Sequence, residues 1–374
     1  MKILLILLIS YSFASQNWKK YAVILTSNEG LTNDTPLQFS KRDGERIQQT
    51  LLEVGGLAKE NIFHIHTNNV KTAKKKLQEI GSLFSTKTQE SEKVFLQLYY
   101  SGHGSAANFH IGASPLSLDE LRQDLQFANI DTKLIVLDVC YGGTFFSKGF
   151  STAPPRKLNF EMNEKTQGEV LISSSASHEQ SFETPALGGS IFTNNWVLAL
   201  RGAADVNQDG KVSLFESYNY AYEKTLAYSS TKLQRQQHPS FQMDLKGSQD
   251  IPLATPNQGK ALTLILQDVQ KGNYSIRDIG LNTYLGDFKL DQGQSFSLAL
   301  PKGHYEIIHH PINANPQAAT FSLNHHGVIL YPKDLRRVSR SYASSKGFHA
   351  LNQTSTIVSK HKYLSLIHIS EPTR

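Results

Sequence analysis

The sequence holds a single cysteine, Cys140, among 374 residues. It therefore closes no intramolecular disulfide, so stability rests on burial and hydrogen bonding, and the thiol needs another explanation. Charged residues make up only 19% of the chain against 39% hydrophobic, which excludes a disordered or coiled-coil protein. No apolar run is long enough to cross a bilayer core of about 30 Å as a helix. The net charge is +6, yet the basic residues are scattered, apart from Lys71, Lys74, Lys75 and Lys76, which read as the solvated side of a helix. No basic stripe interleaves with aromatics, so nucleic acid is not an expected partner. What remains is a globular chain with room for one large core or two domains.

Lys2, the apolar stretch 3–9 and the small residues around Ser12-Phe13-Ala14 have the order of an export signal, so residues 1–15 are expected to be cleaved. This places the protein in the periplasm or outside the cell, with no stable membrane anchor. From residue 16 to 250 short β-rich runs alternate with amphipathic helical patterns, the signature of an α/β domain with a mostly parallel sheet. Strands are expected at 21–25, 62–66, 94–100, 134–138 and 170–173. A helix is expected over 40–54, and a second behind the capping box of Ser117 and Glu120. Beyond a linker at 251–259, short strand-like runs separated by Gly, Asn and Asp predict a small all-β accessory domain over 260–338. Its ligand is not written in the sequence. Residues 339–374 form a tail, and its last ten or so resemble a translated sequencing-adaptor read-through.

Two motifs follow apolar strands, and both carry chemistry. Ser101-Gly102-His103-Gly104 places an imidazole in a glycine turn at a strand's carboxyl end, where open α/β sheets bind ligands. Histidine titrates near neutrality, which suits a general base or acid. Asp138-Val139-Cys140-Tyr141-Gly142-Gly143 ends the strand at 134–138. A lone cysteine is commonly a small buried hydrophobe, but Cys140 lies past the apolar run, beside an acid and two glycines. If the two strands are neighbours, thiol and imidazole meet at one sheet edge as nucleophile and base. The backbone N–H groups of Gly104 and Cys140 are then candidates for an oxyanion hole. No third catalytic residue is nominated.

Strand plus Ser-Gly-His-Gly, strand plus Asp-x-Cys-x-Gly-Gly about 35 residues later, and the downstream Ser173-Ser174-Ser175-Ala176-Ser177-His178-Glu179-Gln180-Ser181-Phe182-Glu183 together resemble the caspase-like cysteine peptidases. The bacterial caspase and metacaspase-like group is the nearer likeness, and legumain-type peptidases are cousins. The resemblance implies a caspase-like sheet with helices on both faces, His103 and Cys140 as the dyad, and peptide-bond cleavage through an acyl-enzyme. It also implies that Asp138 lines the S1 pocket and selects Arg or Lys. Glu183 stands where the family often carries a second acid, usually aspartate. Basic specificity would make Lys148, Arg156, Lys157 and Lys165, in the polar segment 147–168, sites of self-cleavage.

A last motif runs from Asp205 to Glu216. Asp205, Asn207, Asp209, Ser213 and Glu216 supply oxygens at positions 1, 3, 5, 9 and 12 of an EF-hand-type loop, Gly210 sits at position 6, and Lys211 offers its carbonyl. A single structural Ca2+ is the expected cofactor. The expected partner is a protein or peptide substrate. Three other readings remain: a catalytically silent scaffold, a calcium-dependent binding protein, and an enzyme with legumain-like Asn specificity.

Overall fold

The computed structural model describes residues 18–87, 93–105, 107–145, 167–246, 250–311 and 314–338. The export segment, most of the 147–168 segment with its four basic residues, and the tail lie outside them. Six strands build the central sheet: β1 (Trp18–Thr26), β2 (Ile62–His66), β3 (Lys93–Ser101), β4 (Thr132–Asp138), β5 (Gln167–Ser173) and β6 (Ser240–Lys246), in the spatial order β6-β5-β4-β3-β1-β2. The first five run parallel, and β6 closes one edge antiparallel to β5. Helices cover both faces, so the strands read as unbroken apolar runs rather than alternating ones.

Strand geometry sends successive side chains to opposite faces. Ala22 and Ile24 of β1 therefore join one core, with Phe95, Tyr99, Val136 and Ile172, beneath α1 (Ser40–Glu53) and, later in the chain, α4 (Ile191–Leu198) and α5 (Leu214–Tyr228). Val23 and Leu25 join the other, with Leu98, Ile135 and Leu137, beneath α2 (Val70–Lys87) and α3 (Leu118–Asp124). The capping box expected ahead of α3 is present, Ser117 accepting from Glu120 N and the Glu120 carboxylate from Ser117 N.

Further strands follow, among them β7 (Leu262–Leu266), β8 (Gly272–Asp278), β9 (Thr283–Leu290), β10 (Phe296–Leu300), β11 (Gly303–His310), β12 (Gln317–Leu323) and β13 (Val328–Leu330). They form a three-stranded sheet, β10-β7-β13, and a larger one in which β9, β8, β11 and β12 are neighbours. Their shared core includes Tyr274, Phe288, Tyr305 and Phe321, and it also takes in Leu198 from α4. The stretch expected as a linker is tied down: Pro252–Ala254 pairs antiparallel with Val212–Ser213, and Leu253 is buried.

Candidate active site

β3 and β4 are neighbours, with Ser101 directly beside Asp138 in the parallel register and Gly102 N donating to Asp138 O at 3.3 Å. His103 and Cys140 each lie two residues beyond that matched pair. The topology therefore brings the imidazole and the thiol to one edge of the sheet, as the two motifs required. Just past the edge, His103 opens a short antiparallel hairpin, His103–Ser105 against Asn108–Ile111.

The ring of His103 is oriented by a main-chain group that no sequence motif announces. Its Nε2 donates to the Thr35 carbonyl oxygen at 2.8 Å. A carbonyl only accepts, so Nε2 carries the hydrogen and Nδ1 is the basic nitrogen of the neutral ring.

The turn that presents Cys140 is held by the serine run of the downstream motif. Ser174 Oγ accepts from Val139 N at 3.1 Å, Ser175 Oγ donates to Val139 O at 2.9 Å, and Gly142 N donates to Ser175 Oγ at 3.2 Å. Tyr141, in the left-handed region at φ 56°, gives its N–H to Glu179 O at 2.8 Å. Gly142 is needed because a Cβ there would collide with Ser173 Oγ. Gly104 backs onto Val139, one residue from the thiol. Cys140 Sγ donates to Ser181 O at 3.6 Å. Burial pushes the thiol above its ordinary range, and the carboxylates of Asp138, Asp34 and Glu183 push the same way.

Asp138 is only 4% exposed and is surrounded by hydroxyl donors. Ser181 Oγ donates to it at 2.8 Å, Thr193 Oγ1 at 2.5 Å, and Ser190 Oγ also donates. Beside it lies a second buried acid that the sequence does not nominate. Asp43, 1% exposed, accepts from Ser190 N at 2.9 Å and faces Arg46 at 3.7 Å. Its Oδ1 has no hydrogen-bond partner among the described residues. Burial first, with Asp138 and Glu183 adding and Arg46 opposing, holds the Asp43 carboxyl well above the ordinary carboxylate range. The one available signal was its place on the buried stripe of α1, with Ser40, Gly44, Ile47 and Leu51.

Glu183, close enough to act electrostatically on both Asp43 and Cys140, also has a structural task. Its carboxylate accepts from Gln38 N at 2.8 Å and Phe39 N at 3.1 Å, supplying the start of α1 with a cap that Phe39 itself cannot give.

The Asp205–Glu216 loop lies remote from these groups in the chain, ahead of α5. Asp205 accepts from Asp209 N at 3.2 Å and Gly210 N at 3.1 Å, Asn207 Oδ1 accepts from Asp209 N at 2.9 Å, and Gly210 turns at φ 78°. Asp209 accepts from Lys211 N at 2.8 Å, and Ser213 and Glu216 form the α5 capping box. Among the described residues no three His, Cys, Asp or Glu side chains form a ready metal cage. The loop's ligand set also draws on Asn207, Ser213 and the Lys211 carbonyl, so it fits a hard cation that takes oxygen donors of mixed charge.

The family model described as a caspase domain matches residues 19–247. The chain belongs to the caspase family. Members of this family are cysteine peptidases. Among solved structures the caspase-domain chain is similar to caspase-1 from Spodoptera frugiperda, at 12% identity and a TM-score of 0.44, over 64% of this chain and 91% of that one. No curated protein matches it. The caspase-like sheet implied by the sequence motifs is the sheet observed, with further β-sheets in the C-terminal region.

Proposed function

We propose that the protein is an exported cysteine endopeptidase that cleaves peptide bonds after Arg or Lys. The observation that carries this reading is the placement of His103 and Cys140 past a register-matched strand pair, beside the buried acids Asp43 and Asp138. Nδ1 of His103 takes the thiol proton of Cys140, and the thiolate attacks the scissile carbonyl carbon. The N–H groups of Cys140 and Gly104 receive the negative charge that develops on the carbonyl oxygen. Collapse of the tetrahedral adduct breaks the C–N bond, His103 gives its proton to the leaving amine, and the acyl-enzyme remains. Water, deprotonated by His103, then releases the acid product and the free thiol.

The basic preference follows from charge. Burial favours the protonated form of Asp43, and an entering guanidinium or ammonium beside its unpartnered oxygen favours ionisation and pairs with the carboxylate that forms. Asp138, which accepts from three hydroxyls, and Glu183 add negative field. Self-cleavage after a basic residue of the 147–168 segment belongs to the same proposal. So does one structural Ca2+ held by Asp205, Asn207, Asp209, the Lys211 carbonyl, Ser213 and Glu216.

The test is hydrolysis of fluorogenic peptides bearing Arg, Lys, Asn or Asp at P1 by the full chain. Arg and Lys peptides are turned over, Cys140→Ala abolishes turnover, and Asp43→Asn lowers kcat/KM for them by at least about 100-fold. An Asn preference would move the enzyme to legumain-like specificity. Silence on all four peptides would leave a scaffold.

A further inference from the structure

The hairpin that starts at His103 carries a second histidine directly across the strand pair, His110. The two rings grip consecutive residues of the same loop. His103 Nε2 donates to the Thr35 carbonyl oxygen at 2.8 Å, and His110 Nδ1 donates to Asp34 Oδ2 at 2.7 Å. His110 is 6% exposed and its remaining nitrogen, Nε2, meets Ser105 Oγ at 2.8 Å, so both ring positions are used. Tyr100 Oη ties the two strands together by donating to His103 O at 2.8 Å and His110 O at 3.2 Å.

This arrangement answers a mechanical problem. The loop between β1 and α1 is exposed at Thr32, Asn33, Thr35 and Pro36, so burial does little to set the direction of the Thr35 carbonyl. Asp34 is the half-buried residue in that stretch. Its Oδ2 also accepts from Leu31 N at 2.7 Å, which closes the loop into a tight turn around the carboxylate. Burial works against the charge on Asp34, and the hydrogen bonds from His110 and Leu31 outweigh it, with the field of His103 adding. The carboxylate is therefore held ionised between a histidine of the hairpin and the backbone of the loop. Because the hairpin that bears His103 also bears the anchor of Asp34, the carbonyl and the ring it orients move as one frame.

We propose that Asp34, held by His110, is a positioning residue for His103: it fixes the Thr35 carbonyl that keeps the hydrogen on Nε2 and leaves Nδ1 free to exchange a proton with Cys140. Asp34 hydrogen-bonds to neither substrate nor thiol; its charge adds to the field on Cys140, and its positioning role runs through the main chain of the next residue. The peptidase reading enters only in the task given to Nδ1. The tautomer assignment is independent of it.

The experiment compares wild type, Asp34→Ala and Asp34→Asn as full chains labelled with 15N at histidine. Asparagine keeps an oxygen that accepts from both His110 and Leu31, so it is the conservative rescue. Long-range 15N–1H spectra near neutral pH are expected to show His103 as the Nε2–H tautomer in wild type and Asp34→Asn, and as a tautomer mixture in Asp34→Ala. With a P1-Arg peptide, kcat is expected to fall about 10-fold to 100-fold in Asp34→Ala while KM stays within about twofold, and to recover most of that loss in Asp34→Asn. An unchanged His103 tautomer in a folded Asp34→Ala protein overturns the proposal, whatever happens to the rate. If wild type cleaves no peptide, the spectra still decide: a tautomer shift upholds the positioning role while the peptidase reading falls.

Discussion

At the scale of single residues, the thiol is the group whose environment departs most from what its proposed task suggests. Nucleophilic cysteines are commonly activated by cations, whereas Cys140 is half-buried, donates to the Ser181 carbonyl and faces three carboxylates. Burial first, and the three carboxylates with it, favour the protonated form and outweigh the Ser181 contact: the folded value lies above the ordinary one, so the thiolate appears only as pH rises through and beyond the usual thiol range. Alkylation of the resting protein by iodoacetamide is therefore expected to be slower at pH 7 than that of a free thiol, and to keep accelerating above about pH 8.5. A rate already at its plateau at pH 6 would mean a preformed thiolate and a different local field. His103 and Cys140 were legible in the sequence because each follows an apolar strand and sits among glycines. Asp43 was not, because what buries it is the segment around Ser190, far away in the chain. Thr35 was not, because it acts through a carbonyl that every residue possesses.

Among the elements, the ones that announced themselves carry side-chain caps or long apolar runs. α3 and α5 both start with a capping box, Ser117 with Glu120 and Ser213 with Glu216. β6 was missed because an edge strand needs only one protected face, and its sequence mixes Gln242, Asp244 and Lys246 with apolar residues. The hairpin after His103 was missed because its strands span three or four residues, too few for a period to show. α4 ends at Leu198, where a wider turn takes over and Gly202 leaves the helix at φ 116°. The proposed calcium loop makes an element-scale prediction because Glu216 would have two uses. One carboxylate oxygen accepts Ser213 N at 3.0 Å to cap α5, and a bidentate ion ligand must also offer both oxygens to the metal. Adding Ca2+ to chelator-treated protein is expected to bind one ion per chain and to raise the melting temperature. At a hundredfold excess over Kd the stabilisation is about 2.7 kcal/mol. Glu216→Gln is expected to remove most of that gain. Protein purified without calcium whose melting temperature ignores both chelator and added ion would reduce the loop to a capped turn.

For the whole molecule, the question is whether the C-terminal β-region is an appendage or part of one folding unit. The sequence suggested a separate module, since its turn-punctuated short strands look unlike the alternation before it. Periodicity within a segment says nothing about which segments share a core, and here the cores interlock. Leu198 of α4 is buried among Tyr274, Phe288 and Leu298, while Ala299 of β10 is buried in the core beneath α1. Arg201, almost wholly buried, pairs with Glu53 at 2.8 Å and donates to Ala299 O at 3.2 Å, so a charge is satisfied only when both regions are in place. Asn194 donates to Leu285 O and accepts from Arg46, each at 2.7 Å, and Tyr284 N donates to Ala186 O at 3.1 Å. Strand β9 thus braces both the helix behind Asp43 and the segment that follows Glu183. Gly286 makes this close approach possible, because a Cβ there would collide with Leu198 Cδ2. Gly286→Val is expected to cost about 1–3 kcal/mol, the usual range for overpacking. More tellingly, calorimetry and urea unfolding should show wild type melting in one transition, with fluorescence from Trp196 in α4, read in a Trp18→Phe background, following the same curve as the loss of β-structure. In Gly286→Val the midpoint moves and the single transition persists if the seam is a true shared core. Two resolved transitions in wild type, with Trp196 reporting only one of them, would instead make the β-region an independent domain resting against the peptidase fold.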